Sequence, residues 1–124
     1  MVSDISLRLY SYAGCSTCRR ALSWLRDRGI AAEPIDITVT PPSRPELERA
    51  LQQLGRSRLF NTSGQSYRAL GASRVRAMSD AEAIEALAAD GKLIKRPFLI
   101  HAEGTIITGF RPEEWEALLP LQPA

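Results

Sequence analysis

Tyr10-Ser11-Tyr12-Ala13-Gly14-Cys15-Ser16-Thr17-Cys18-Arg19-Arg20-Ala21 holds both cysteines of the chain, two residues apart, where an extended segment turns into a helix. Upstream, Ser6-Leu7-Arg8-Leu9-Tyr10 alternates polar and apolar side chains as a half-buried strand does, and Tyr12-Ala13-Gly14 supplies a turn. Downstream, Cys18, Ala21, Leu22 and Leu25 recur at the spacing of one face of an amphipathic helix, which Gly29 ends. Cys15 therefore stands at or just before a helix N-terminus, where unpaired N–H groups and the positive end of the helix dipole favour a thiolate over a thiol. A free cysteine titrates near about 8.5, and cysteines in such pairs fall to roughly 3.5 to 7.5. Arg19 and Arg20 add positive charge in the next turn.

The two sulfurs are not equivalent. Cys18 shares the apolar stripe and is expected to be buried, whereas Cys15 precedes the first full turn and can be exposed. The outer thiolate then attacks and the inner thiol resolves the mixed disulfide by exchange. The competing readings are half of a zinc site and two incidental buried cysteines. Zinc takes about four ligands, usually Cys or His, and the rest of the chain offers only His101, so no metal is expected.

With 124 residues the chain is one domain's worth, long enough to bury a core without disulfide staples. Hydrophobic residues at 44% and charged residues at 24% are those of an ordinary globular protein. No apolar run approaches the roughly 18 residues of a membrane span, and Met1-Val2-Ser3-Asp4 lacks the basic and apolar regions of a signal peptide. The expected compartment is the cytoplasm, where a Cys15–Cys18 disulfide would be transient rather than structural. A net charge of +2 is too small to imply direct nucleic-acid binding, and Arg56 to Arg58 and Arg74 to Arg76 read as solvated faces. A monomer is expected.

Along the chain the elements read β, α, β, then mostly helix, then a hairpin and a last helix. Glu33 to Ile37 is a second strand, closing a βαβ crossover with the first helix. Ser43-Arg44-Pro45-Glu46 is a capping box opening a helix through Leu47, Leu51 and Leu54 to Gly55. Ser79-Asp80-Ala81-Glu82 is a second box, opening a helix with Ile84, Leu87 and Ala88 that Gly91 ends. Between them lie the polar stretch Asn61 to Ser66 and a short helix around Tyr67 to Leu70. Phe98-Leu99-Ile100 is a strand, Glu103-Gly104 a tight turn, and Ile106-Ile107-Thr108 the return strand. Pro112 and Pro120 bracket a helix over Glu113 to Leu119. There is no internal repeat, and the tail after Pro120 reads as loose. This is an α/β, thioredoxin-like layout: a glutaredoxin-like βαβ…ββα core over about 5–37 and 93–119, and a mostly helical insertion over about 43–91, in one domain spanning 1–124.

The chain also resembles the arsenate reductase and Spx (ArsC/Spx) family over nearly its whole length. The resemblance rests on the Tyr10 to Ala21 stretch, on Leu59-Phe60-Asn61-Thr62-Ser63-Gly64 ahead of Tyr67-Arg68-Ala69-Leu70-Gly71, on Met78-Ser79, on Leu93-Ile94-Lys95-Arg96-Pro97, and on Gly109-Phe110-Arg111-Pro112-Glu113-Glu114. A helix N-terminus with converging arginines suits an oxyanion, and Arg96 and Arg111, at strand ends on short connections, are the candidates to face Cys15. The resemblance implies that Pro97 is a cis proline beside the cysteine turn, where its missing N–H leaves room for a substrate strand or a thiol partner. Met78, Trp24 and Trp115 read as core residues.

The resemblance implies two functions. In a reductase of arsenate or disulfides, Cys15 attacks, Arg96 and Arg111 hold the anion, and Cys18 or a carrier thiol resolves; the electron donor is glutathione with glutaredoxin, or thioredoxin, and no cofactor is bound. Glutathione-coupled arsenate reductases carry a third arginine where Asn61 stands here, and lack a cysteine at Cys18. In an Spx-type redox-sensing regulator, oxidation of the pair reshapes the first helical turn, and Gly55 matches the glycine that contacts the RNA polymerase alpha subunit. Gly55 also suffices as a helix C-cap, and the arginine of those regulators near the polar loop is Ser63 here.

Overall fold

The computed structural model describes residues 7–102 and 104–119. Expectations for Met1 to Ser6, for Glu103 and for Pro120 onward lie outside these residues. Four strands, β1 (Leu7–Ser11), β2 (Pro34–Asp36), β3 (Phe98–His101) and β4 (Ile106–Thr108), form one sheet in the order β2-β1-β3-β4. β1 is parallel to β2, with Tyr10 opposite Ile35, and antiparallel to β3, with Leu9 opposite Leu99. Helix α1 (Ser16–Asp27) connects the parallel pair, α7 (Pro112–Leu118) follows the hairpin, and α2 (Arg44–Leu54), α3 (Arg56–Leu59), α4 (Gln65–Leu70), α5 (Ala72–Ala77) and α6 (Asp80–Ala89) lie between β2 and β3. The fold is thioredoxin-like, with the α/β order expected.

Period-two alternation divides the core between the two faces of the sheet. Leu9 and Leu99 pack with Ala21 and Leu25 of α1 and with Trp115 of α7. Tyr10, Phe98 and Ile100 face the opposite way, into a larger cluster with Leu47 and Ala50 of α2, Val75 of α5, and Ala83, Ile84 and Leu87 of α6. β1 is therefore not half-buried: Leu9, Tyr10 and Ser11 are all buried because the strand is central and both faces are covered. β2 is shorter than the expected Glu33 to Ile37, although Ile37 is buried and donates its N–H to Ser11 O at 2.9 Å.

Both capping boxes form. Ser43 and Glu46 satisfy each other's backbone at the start of α2, and Ser79 and Glu82 do so at α6. Glu46 also accepts the Tyr10 O–H at 3.0 Å, and burial together with this carboxylate pushes the Tyr10 phenol up to about 12. The open edge of β4 is covered by the helical segment: Gln53 accepts the Ile106 N–H at 2.8 Å, Arg58 donates to Thr108 O, and the Thr108 hydroxyl donates to Arg58 O. An unpaired sheet edge is thereby closed off.

Two helices, α3 and α5, are additional to those expected, each only 4 and 6 residues long and bounded by the positive-φ glycines Gly55 and Gly71. Gly91 does not end α6 in the manner expected. Asp90 caps that helix, and Gly91 starts a short 3-10 turn pressed against the backbone after β2, where an added Cβ would lie 1.9 Å from Ile37 O. Its role is close approach, which only a residue without a Cβ permits.

Candidate active site

Cys15 is the N-cap residue of α1, held by its N–H to Tyr12 O at 3.0 Å, and its Sγ accepts the Cys18 backbone N–H at 3.3 Å. Sulfur thus takes the place an N-capping oxygen usually fills, satisfying one of the orphan donors of the first turn. Cys15 is half-buried and Cys18 is 1% exposed; both are free thiols. Burial opposes ionisation of Cys15, but the Cys18 thiol, the Cys18 N–H and the Arg96 guanidinium all stabilise its thiolate, and the net effect is a Cys15 thiol more acidic than usual. Cys18 goes the other way: burial first, then the hydrogen bond it donates to Cys15, push it up to about 11. The pair therefore consists of an acidic outer sulfur and an inner sulfur that keeps its proton.

Arg96 reaches Cys15 from the segment before β3, with its guanidinium carbon 5.2 Å from the centroid of the Tyr12 ring, a cation–π contact that fixes its direction. The Arg96–Pro97 peptide is cis, and Pro97 is buried. A cavity of about 440 Å³ opens beside the cysteine turn, lined by Cys15, Arg58, Asn61, Lys95, Arg96 and Arg111 among others. The structure thus brings Cys15, Arg96, Arg111 and Asn61 to one cavity, with Cys18 behind Cys15. Asn61 is engaged locally, donating to Lys92 O at 3.3 Å and accepting from the Ser63 hydroxyl at 3.1 Å. Arg111 is 62% exposed, with its nearest carboxylate, Glu114, 4.0 Å away. Gly55 and Pro97 are not part of the wall; Gly55 is the junction of α2 and α3.

Four arginines make contacts that the sequence did not specify. Arg19 donates to Ala13 O at 2.8 Å, bracing the turn, and Arg20 stacks over Phe110. Arg56 and Arg58 do not form a solvated face. Arg56 ties α3 to Val75 O, Met78 O and Asp80, while Arg58 makes a two-pronged pair with Glu114 at 2.8 and 3.0 Å and lines the cavity. Arg74 and Arg76 are exposed, as a solvated face requires. Arg58 had no signal in the sequence, because its partner lies 56 residues away; Lys95 had one, its place beside Arg96 in the quoted Leu93 to Pro97 stretch. Trp115 is fully buried against Trp24 and Phe110.

The family model described as ArsC family matches residues 10–118. Among related sequences, the uncharacterized protein YusI of Bacillus subtilis is 39% identical, covering 90% of this chain and 97% of its own length. An arsenate reductase of Neisseria meningitidis is 32% identical, with 91% and 97% covered. Regulators named MgsR and Spx are matched as well. Among solved structures, a possible arsenate reductase from Streptococcus mutans superposes with a TM-score of 0.81 at 42% identity, covering 91% of this chain and 99% of that one.

Proposed function

Because this chain belongs to the ArsC family, we propose that it is a cytoplasmic thiol–disulfide redox protein of the arsenate-reductase kind, with Cys15 as nucleophile and Cys18 or a carrier thiol as resolving group. The observation that carries this reading is the Cys15–Cys18–Arg96 arrangement: an acidified, accessible sulfur with a guanidinium on it and a second, protonated sulfur behind it.

With a disulfide substrate, the Cys15 thiolate forms a bond to one sulfur and expels the other as a thiolate. Cys18 then attacks Cys15 and expels the remaining thiolate, so two electrons pass from the pair to the substrate and the pair is left as a disulfide. With arsenate, Cys15 displaces an oxygen as water to give a sulfur–arsenic(V) bond. A second thiol attacks Cys15, and the sulfur–arsenic electron pair stays on arsenic, which leaves as arsenic(III). Glutathione with glutaredoxin, or thioredoxin, returns the electrons. Cys18, pushed up to about 11 by burial and by its hydrogen bond to Cys15, keeps its proton at neutral pH. Loss of the Cys15 negative charge in the mixed disulfide removes one of the influences holding that proton.

The test is turnover of arsenate and of hydroxyethyl disulfide with each donor, beside Cys15→Ser. A rate above the Cys15→Ser control with at least one substrate is expected; none with any donor overturns the reading. A second reading, an Spx-type regulator, is favoured by Gly55, where an added Cβ would meet nothing within 4 Å and the helix junction presents an open face. It requires capture of the RNA polymerase alpha subunit that depends on Gly55.

A further inference from the structure

The cavity wall carries four cations, Arg58, Lys95, Arg96 and Arg111. A tetrahedral oxyanion is held by several such donors converging on it. Glu114, in the first turn of α7, is not part of the lining but pairs with two of these cations from outside it. It takes both terminal nitrogens of Arg58, at 2.8 and 3.0 Å, and stands 4.0 Å from Arg111 Nη1. Arg58 is further fixed by donation to Thr108 O at 3.3 Å, and its Nε is buried without a hydrogen-bond partner. Arg96 alone of the four is directed at the Cys15 sulfur by stacking on Tyr12.

We infer that Glu114 is a specificity-determining residue: by occupying the Arg58 fork and facing Arg111 it engages two of the cations an oxyanion would need, and so biases Cys15 toward neutral sulfur electrophiles over tetrahedral oxyanions. The inference rests on the proposed nucleophilic role of Cys15. Arg58 lines the same cavity as Asn61, and Glu114 keeps its guanidinium engaged. A dianion entering the cavity finds the Arg58 fork already taken and the charge of Arg58 and Arg111 offset by Glu114, whereas an uncharged disulfide meets neither obstacle. Glu114 touches no reacting atom; it acts through Arg58 and Arg111.

The experiment measures two quantities on the reduced full chain at constant ionic strength. One is the concentration of inorganic phosphate or arsenate that halves the rate of Cys15 alkylation by iodoacetamide. The other is the rate of Cys15 reaction with hydroxyethyl disulfide. For Glu114→Gln, the half-protecting concentration should fall about tenfold, the disulfide rate should change less, and Arg58→Ala in the same chain should abolish most of the gain. Circular dichroism checks the fold; should Glu114→Gln not fold, Glu114→Asp retracts the carboxylate by one methylene and should give a smaller fall. An unchanged half-protecting concentration in a folded variant overturns the inference, as does a gain that survives Arg58→Ala. A parent Cys15 that reacts with neither iodoacetamide nor the disulfide overturns instead the nucleophilic role itself.

Discussion

Gly91→Ala should damage this protein far more than its single added methyl suggests. The new Cβ would fall 1.9 Å from Ile37 O, 2.7 Å from Ile37 C and 3.3 Å from Thr38 Cα, all backbone atoms, so no side chain can swing aside. Restoring ordinary contact requires the two chain segments to part by about 1.5 Å in an interior packed as densely as a crystal. On one side, that movement strains the 2.9 Å bond from Ile37 N–H to Ser11 O, at the end of the strand that leads into the cysteine turn. On the other it pushes the 3-10 turn, the Phe60–Ile94 bridge and the Lys95 N–H bond to Leu59 O, which together set the position of Arg96. Overpacking costs typically about 1–3 kcal/mol, and two backbones in conflict place this case at about 3 kcal/mol or more. For a chain of this size the midpoint of thermal unfolding should drop by roughly 10 °C or more. Gly55→Ala is the control: its Cβ meets nothing within 4 Å, and only its backbone, at φ +79° and ψ 170° in a region kept for glycine, is strained, a cost of about 1–3 kcal/mol. Thermal unfolding by circular dichroism reads the stability, and Cys15 alkylation reads the displacement of Arg96. A Gly91→Ala protein that unfolds within about 1 kcal/mol of the parent, or above Gly55→Ala, refutes the reasoning.

Arg96→Lys should cost almost as much as Arg96→Ala, because an ammonium keeps the charge but not the planar donor set or the stacking on Tyr12; a ten- to hundredfold fall in the turnover rate, about 1.5–3 kcal/mol, is expected, and parent-like turnover and thiol titration would reduce Arg96 to a surface charge. Cys18→Ala should keep the fold at a cost of about 1 kcal/mol, slow the labelling of Cys15 near neutral pH by removing the thiol that donates to it, and accumulate mixed disulfides at Cys15 under oxidant; an unfolded variant, or an inert Cys15, would make Cys18 structural. Arg58, through its hydrogen bonds, holds the Glu114 carboxyl below its usual range, so the folded state binds fewer protons there than the unfolded chain. Stability from this group is present above the unfolded carboxyl value of about 4.3 and is lost as pH falls through the folded one; Glu114→Gln should therefore flatten the acid side of the stability profile, and an unchanged slope would show the pair to be energetically silent.

Much of the fold was legible because its signals are local. The switch from period two to period 3.6 around Cys15, the boxes at Ser43 and Ser79, and the apolar Phe98 to Ile100 run each depend on neighbours within one or two turns. What was not legible depends on distant partners. The burial of β1 on both faces needs α2 and α6 on one side and α7 on the other. The close approach at Gly91 needs Ile37, and the covering of the β4 edge needs Gln53 and Arg58. Helices α3 and α5 span only 4 and 6 residues, too short to show a period. The site divides in the same way. The ranking of the two sulfurs follows from the helix start, and Arg96 and Arg111 from their places at strand ends. The engagement of Arg58 by Glu114 is a tertiary pairing on which Arg56 to Arg58, read as a run of charge, carried no information.

The central claim is that Cys15 is the acidic, reachable sulfur of the pair and Cys18 the buried, protonated one, and brief alkylation of the reduced native protein tests it most directly. Iodoacetamide is applied for a short interval across a series of pH values, and each cysteine is quantified by mass mapping. The account predicts that Cys15 is labelled with a midpoint below that of an ordinary thiol, and that Cys18, at 1% exposure and titrating at about 11, is labelled only once the protein is unfolded. Equal labelling of the two sulfurs, or a Cys15 midpoint at the ordinary value of about 8.5, would contradict it.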